Sequence, residues 1–321
     1  METRKRSVQP GIHDTVRKGL SDESKYLPEW LLMNEDGVSI FAEVARLEEF
    51  YPAHALTELD ALYSKAIAYN LRQESRAWNV VMFLDHPLVS YSLLSELAKS
   101  GAEINFIPVT SSALKAEEAK NVVASAIPSV LIREAWPYFT EIFNELQSLS
   151  APTLYYFGPA VEVFEINDLA VMLKAIASRT GRKDRIIGHF DLLKSPAVIE
   201  KAYQDPMGIN AVYCRNALVR MNRELRANFD ARLFEYWPIY DAVTGTCRRY
   251  LVSQAEQLVK IPELDMEVTF HPWETISIGL SQKYDDEMIG QLLEMSAITC
   301  ERKLINEKWN YAMMIMRSIR M

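Results

Sequence analysis

The side chains able to do chemistry in this sequence are scattered, and few keep a spacing that a known reaction requires. No Gly-x-Ser-x-Gly segment presents a nucleophilic serine, and His189, within Gly188-His189-Phe190-Asp191, lies in an apolar strand pattern. His54, His86, Asp85 and Glu162 are of metal-ligating type, but their separations carry no ligand signature, so no metal is expected. Cys214, Cys247 and Cys300 are odd in number, widely spaced and without a Cys-x-x-Cys pair, which argues against a zinc site or a disulfide framework and fits a reducing cytosol. Three hydroxyls admit two readings each. Tyr51, just before Pro52, and Tyr203, on an apolar helix face, are either packed core tyrosines or ligand contacts, and Ser281 is either a locally satisfied strand hydroxyl or a third contact. Arg248 and Arg249 are adjacent on a strand, so at most one can face a pocket, and solvation is the default for both.

The elements that must position these residues change character along the chain. From about Trp78, short apolar runs alternate with amphipathic stretches, the sign of βα units around a parallel sheet. Strands are predicted at Trp78 to Leu84, Ile104 to Val109, Ser129 to Ile132, Thr153 to Phe157 and Arg185 to Leu192. Helices are predicted at Leu88 to Lys99, Ala113 to Ala126 and Asp168 to Ser178. After Pro196 the alternation stops. A helix at Asn210 to Arg226 precedes strand-like segments at Leu233 to Tyr240, Cys247 to Val259 and Trp273 to Leu280. Then Asp285 to Met295 reads as a helix and Trp309 to Arg317 as a strand returning to the first sheet, its Met313-Met314-Ile315-Met316 run being core. A doubly wound α/β domain interrupted by an α+β insertion follows, with the N-terminal helices packed on the insertion.

In a doubly wound sheet a ligand sits beyond the carboxyl ends of the strands, where glycines at the first βα turn admit it and an acid ending the second strand holds a ribose. Here that turn is Leu84-Asp85-His86-Pro87-Leu88, and no glycine occurs between Gly37 and Gly101. Pro87 suits the first helical position, with Asp85 or His86 as the cap. The second strand ends Pro108-Val109-Thr110, without a carboxylate. A dinucleotide is therefore not the expected ligand.

Composition narrows the partners. The 321 residues, 49 % hydrophobic and 24 % charged, exceed one typical domain and suffice for a real core. With 43 acidic against 35 basic residues the net charge is −8, spread along the chain, so nucleic acid is not an expected partner. The longest apolar runs fall far short of the roughly 20 residues of a membrane helix, so no membrane partner is expected. Arg4, Lys5, Arg6, Arg17 and Lys18 read as a solvated basic arm without the apolar core of a signal peptide, and a cytoplasmic location follows.

Ordered along nearly the whole chain are segments that, taken together, are specific. They are Asp36-Gly37-Val38-Ser39-Ile40-Phe41, Glu49-Phe50-Tyr51-Pro52, Pro108-Val109-Thr110-Ser111-Ser112-Ala113-Leu114, and Gly188-His189-Phe190-Asp191-Leu192-Leu193-Lys194-Ser195-Pro196. Ala202-Tyr203, the run from Asn222 to Asp230, Glu274-Thr275-Ile276 and Ser281-Gln282-Lys283-Tyr284 complete them. In these the chain resembles the histidine-specific S-adenosylmethionine-dependent Nα-methyltransferases of the ergothioneine pathway. The resemblance implies an α/β fold: a class I methyltransferase-like Rossmann domain over 58–196 plus 285–321, and an inserted α+β substrate-binding domain over 197–284 joined by 1–57.

It also implies site residues. Tyr51, Tyr203 and Ser281 match the positions that line the amino-acid pocket on the carboxylate side. The glycine-rich cofactor loop falls on Phe83 to Leu88 and the ribose-binding aspartate on Val109 or Thr110, so Asp85, His86, Val109 and Thr110 mark the cofactor-binding positions in degenerate form. The Gly-Asn pair that helps hold the substrate amino group lands on Glu162-Val163, and the substrate-binding glutamate near the end of the insertion lands on Gly279. With these departures the resemblance implies a diverged member that binds or transforms a small amino-acid-like molecule, with no cofactor. An active S-adenosylmethionine-dependent N-methyltransferase on another amine, and a catalytically silent scaffold for a partner enzyme, stand as alternatives. Tyr51, Tyr203 and Ser281 are expected to converge on one cavity, with Glu162 as counter-charge for a ligand's amino end.

Overall fold

The computed structural model describes residues 11–110, 112–136, 142–143, 146 and 149–319. A seven-stranded sheet runs in the order β11-β12-β5-β4-β1-β2-β3. Its centre is β1 (Ala77–Phe83), flanked in parallel by β2 (Glu103–Val109) and β4 (Thr153–Gly158); β3 (Leu131–Ile132) lies outside β2 and β5 (Arg185–Asp191) outside β4. The antiparallel β12 (Tyr311–Ser318) joins β5 to β11 (Ile298–Asn306). Burial on both faces explains why β1 and β4 read as nearly continuous apolar runs, interrupted by the buried Asn79 and opened by Thr153. Trp78, Val80 and Met82 pack with α3 (Tyr51–Glu74), α4 (Ser92–Lys99) and α5 (Ala113–Ala126). Val81 and Phe83 pack on the opposite face with α6 (Ile166–Ala177) and α9 (Asp286–Ser296). This is the doubly wound α/β fold of a class I methyltransferase-like Rossmann domain.

A second core joins the N-terminal segment to the insertion. Val16 and Leu20 of α1 (Ile12–Ser21), Phe41 and Val44 of α2 (Glu35–Val44), and Phe50 and Tyr51 pack on α7 (Pro196–Tyr203) and α8 (Ile209–Glu224). The same core takes Leu251, Ile276 and Ile278 from the antiparallel sheet β10-β7-β6, formed by β6 (Phe234–Asp241), β7 (Thr246–Ser253) and β10 (Thr275–Gln282). Helix α3 spans both cores, contributing Tyr51 to this one and Ala55, Leu59, Ile67 and Leu71 to the sheet.

Several sequence expectations are corrected. The helix after β1 starts at Ser92, not Leu88, so Pro87 is not its first residue and neither Asp85 nor His86 caps it. Leu88, expected on that helix's apolar stripe, instead leans on the insertion's core and draws residues 84–91 into an irregular loop. The segment Cys247 to Val259 is two strands, β7 and β8 (Gln257–Ile261), because the Ser-Gln-Ala-Glu stretch turns the chain; β8 pairs with an unforeseen β9 (Met266–Phe270). Strand β11 was also unforeseen, its charged residues lying on the sheet's exposed edge. Part of the expected basic arm is α1, whose Val16 and Leu20 are buried and whose Arg17 donates to the Leu264 carbonyl. Arg4, Lys5 and Arg6 lie outside the described residues. Among the described residues no helix is long and apolar enough to cross a membrane.

Candidate functional site

The expected hydroxyls meet where the insertion rejoins the sheet. As β10 ends, Tyr284 N–H donates to the Asp191 carbonyl (2.8 Å), and Leu193 N–H donates back to the Tyr284 carbonyl (2.8 Å), lacing the strand to the end of β5. Residues two apart on a strand share a face, so Ser281 and Lys283 arrive together. At the end of β4, Gly158 has φ +54 and ψ −137, a conformation open to glycine, which turns the chain into a 3₁₀ turn, Pro159–Val163, carrying Glu162. Tyr51 opens α3, Tyr203 closes α7 with its ring edge-on to Phe50 at 6.1 Å, and Tyr311 lies opposite Asp191 across β12 and β5.

The centre of this gathering is a residue the site assignment lacked, Lys283, whose ammonium is wholly buried. Its Nζ donates to Ser281 Oγ (2.6 Å), Tyr203 OH (2.9 Å) and Asp191 Oδ2 (2.6 Å), and stands 3.6 Å from Glu162 Oε2. Tyr203 OH donates to Ser281 Oγ (2.8 Å), which donates to Glu162 Oε2 (3.0 Å). Tyr311 OH donates to the other Glu162 oxygen, Tyr51 OH to Asp191 Oδ2 (2.6 Å), and Lys194 to Asp191 Oδ1. Two carboxylates thus face two ammonium groups. Burial opposes the Lys283 charge, but Asp191, Tyr203 and Glu162 hold its pKa well above the ordinary lysine value. Burial would likewise raise the Asp191 carboxyl, but Lys283 and Lys194 overcome it and hold it below the usual range. Glu162 goes the other way: burial, reinforced by Asp191, raises it against the pull of Lys283.

The structure brings Tyr51, Tyr203, Ser281 and Glu162 into one connected network, but the expected cavity between them is corrected: all four are buried, none of them walls the cleft, and their polar atoms bond to Lys283, Asp191 and one another. The open space lies one residue away, in a cleft of about 330 Å³ whose wall includes Glu29, Asp85, Val163, Arg248, Gly279 and Leu280. Asp191, Lys194 and Lys283 stood within the matched segments without a ligand role, and Tyr311 within a predicted strand. The signal was the Ser281-x-Lys283 spacing, which puts a hydroxyl and an ammonium on one strand face, where a lone buried lysine would be untenable without acids.

At the cofactor-binding positions, Thr110 Oγ1 donates to Asp85 Oδ1 at 2.5 Å, which sets a carboxylate at the end of β2 although Val109 and Thr110 bring none. His86 Nδ1 accepts from Leu88 N–H (3.0 Å), and burial lowers its pKa to about 3, assisted by the charges of Arg249, Lys283 and Lys115. Phe83 and Phe157 stack at 4.0 Å across the ends of β1 and β4. The turn therefore presents Asp85 to the cleft without the glycines the resemblance implies for a cofactor loop. His54, Asp85, His86 and Glu162 do not gather: His54 Nε2 bonds the Leu47 carbonyl, and among the described residues no three His, Cys, Asp or Glu are grouped to hold a metal. Solvation holds for Arg248, which pairs with the partly exposed Glu165 at the cleft wall, and is corrected for Arg249, which is buried beside Glu29.

Known proteins match the chain along most of its length. The histidine N-alpha-methyltransferase of Mycobacterium tuberculosis is 25 % identical over 283 residues, 88 % of this chain and 87 % of that one. Ergothioneine biosynthesis protein 1 of Schizosaccharomyces pombe is 24 % identical over 277 residues, 84 % of this chain and 36 % of that one. A solved S-adenosylmethionine-dependent methyltransferase from Clostridium acetobutylicum superposes with a TM-score of 0.42 at 10 % identity, over 80 % of this chain and 90 % of its own. The family model for histidine-specific, SAM-dependent methyltransferases matches residues 12–318, and the chain belongs to that family.

Proposed function

We propose that this family member binds a small amino-acid-like molecule in the cleft between the sheet's carboxyl edge and β10, and that methylation of histidine is not its reaction. The observation that carries the reading is the convergence of Tyr51, Tyr203, Ser281 and Glu162 on Lys283, directly behind Leu280 and Val163 of the cleft wall. The network fixes that wall from behind, and a ligand carboxylate or amine that enters it exchanges one of the network's internal bonds for a charge-assisted contact with Lys283 or Glu162. Histidine is disfavoured because Gly279 itself brings no acceptor, and the Arg249 guanidinium lies over it, paired with the neighbouring Glu29 carboxylate. The first turn supports the same reading, since it lacks glycine.

A second reading rests on Asp85. Its carboxylate at the end of β2 stands where a ribose would be held, which favours an N-methyltransferase with a rebuilt cofactor site acting on another amine. Calorimetry with S-adenosylmethionine separates the two. The first reading expects no binding in the micromolar range, whereas a low-micromolar dissociation constant, roughly −8 kcal/mol, establishes the second. Trimethylated product from histidine and S-adenosylmethionine with the pure protein would overturn both.

A further inference from the structure

Gly279 on β10 lies directly across from Arg249 on β7, next to a bulge between Ser277 and Gly279. A Cβ at Gly279 would stand 2.7 Å from Arg249 Nη2, 3.4 Å from its Cζ and 3.4 Å from Glu29 Oε2. The guanidinium thus occupies the room that a side chain at 279 would take. Its Nη2 pairs with Glu29 Oε1 at 2.8 Å, and Arg249 is only 6 % exposed. The pair is unsaturated, because Arg249 Nε and Glu29 Oε2 are both shielded from solvent and neither has a hydrogen-bond partner in the protein. Glu29 and Gly279 themselves wall the cleft, together with Trp30 and Phe164.

Resting on the amino-acid reading above, we infer that the Arg249–Glu29 pair reads the far end of the ligand and selects a neutral side chain that both donates and accepts, of the carboxamide type. Its N–H meets the carboxylate of Glu29 at the cleft wall and its carbonyl the guanidinium over Gly279, once a small side-chain rotation opens these two shielded groups. The two protein charges already neutralise each other, so an acid or an amine on the ligand would be stripped of water to face one partner that attracts it and one that repels it. A purely apolar arm would leave the unpaired acceptor and donor as they are, a loss that strongly favours ligands able to satisfy them. The cleft, about 330 Å³ in all, suits an arm of amino-acid length.

The test is calorimetric titration of the full chain with L-glutamine, L-glutamate, L-lysine and L-histidine. Glutamine is expected to bind at least tenfold more tightly than glutamate and lysine, with histidine, whose neutral imidazole also donates and accepts, between them. Glu29→Gln keeps the shape but removes the charge, and Gly279→Ala pushes the flexible guanidinium aside; each is expected to cut that preference to threefold or less, with folding checked by circular dichroism. Glutamate or lysine binding as tightly as glutamine overturns the inference, as does an undiminished preference in folded Gly279→Ala. Binding without side-chain preference removes this inference and leaves the amino-acid reading standing, whereas no binding by any of the four removes both.

Discussion

Two buried ion pairs, each built on one cation of the inserted module, differ in one respect. Around Lys283 all three ammonium protons are used, and both carboxylates it faces are further bonded by tyrosine, serine or lysine. At Arg249 and Glu29 a donor and an acceptor are left over beside the cleft. A saturated network is rigid and holds its members in place, while an unsaturated one retains capacity for a ligand. The Lys283 network therefore reads as the brace that fixes β10 to the sheet, and the Arg249–Glu29 pair as the contact that discriminates.

Breaking the brace should have the largest effect. Lys283→Met leaves Asp191 and Glu162 buried without their shared cation, and a loss of about 3–5 kcal/mol in urea unfolding is expected. A loss below about 1 kcal/mol would mean that the network does not brace the junction.

His189 sharpens the comparison from another side. Both of its ring nitrogens lack a partner, as Arg249 Nε does, but the residue is fully buried against Tyr156 and does not wall the cleft. Burial lowers its pKa from 6.5 to about 3. Between those values the unfolded chain binds a proton that the folded chain refuses, so stability falls as pH falls from about 6.5 towards 3. At pH 5 this amounts to about 2 kcal/mol relative to pH 7. His189→Leu should flatten that acid limb by a similar amount in denaturation curves taken at pH 5 and pH 7; parallel limbs in the two proteins would refute the account.

Smaller effects grade the network's members. Tyr51→Phe and Tyr203→Phe each remove one hydroxyl and should cost about 0.5–1.5 kcal/mol in stability. Tyr203→Phe should also weaken ligand binding more, because its hydroxyl contacts both Lys283 and Ser281 whereas Tyr51 reaches only Asp191. Gly279→Ala should cost least, about 1 kcal/mol or less, since the atom it meets is the end of a flexible side chain. An altered ligand preference at nearly unchanged thermal stability would mark a discriminating contact rather than a brace.

Sequence patterning by itself determined the alternation of βα units, the α+β interruption after Pro196 and the return of the last strand, because burial on two faces imposes long apolar runs and helical stripes that survive in one dimension. The family resemblance of the chain's ordered segments, not periodicity, brought forward Tyr51, Tyr203, Ser281 and Glu162. Edge and hairpin elements such as β9 and β11 were hidden, since their charged, half-exposed residues carry little periodic signal. What only the tertiary structure decided was which charges meet. Lys283 and Asp191 are far apart in sequence, and each alone in a core would be untenable; their pairing exists because Tyr284 laces β10 to the end of β5. Likewise, nothing in the sequence tells that Arg249 lies over Gly279, for that depends on a bulged antiparallel register, a property of two strands together.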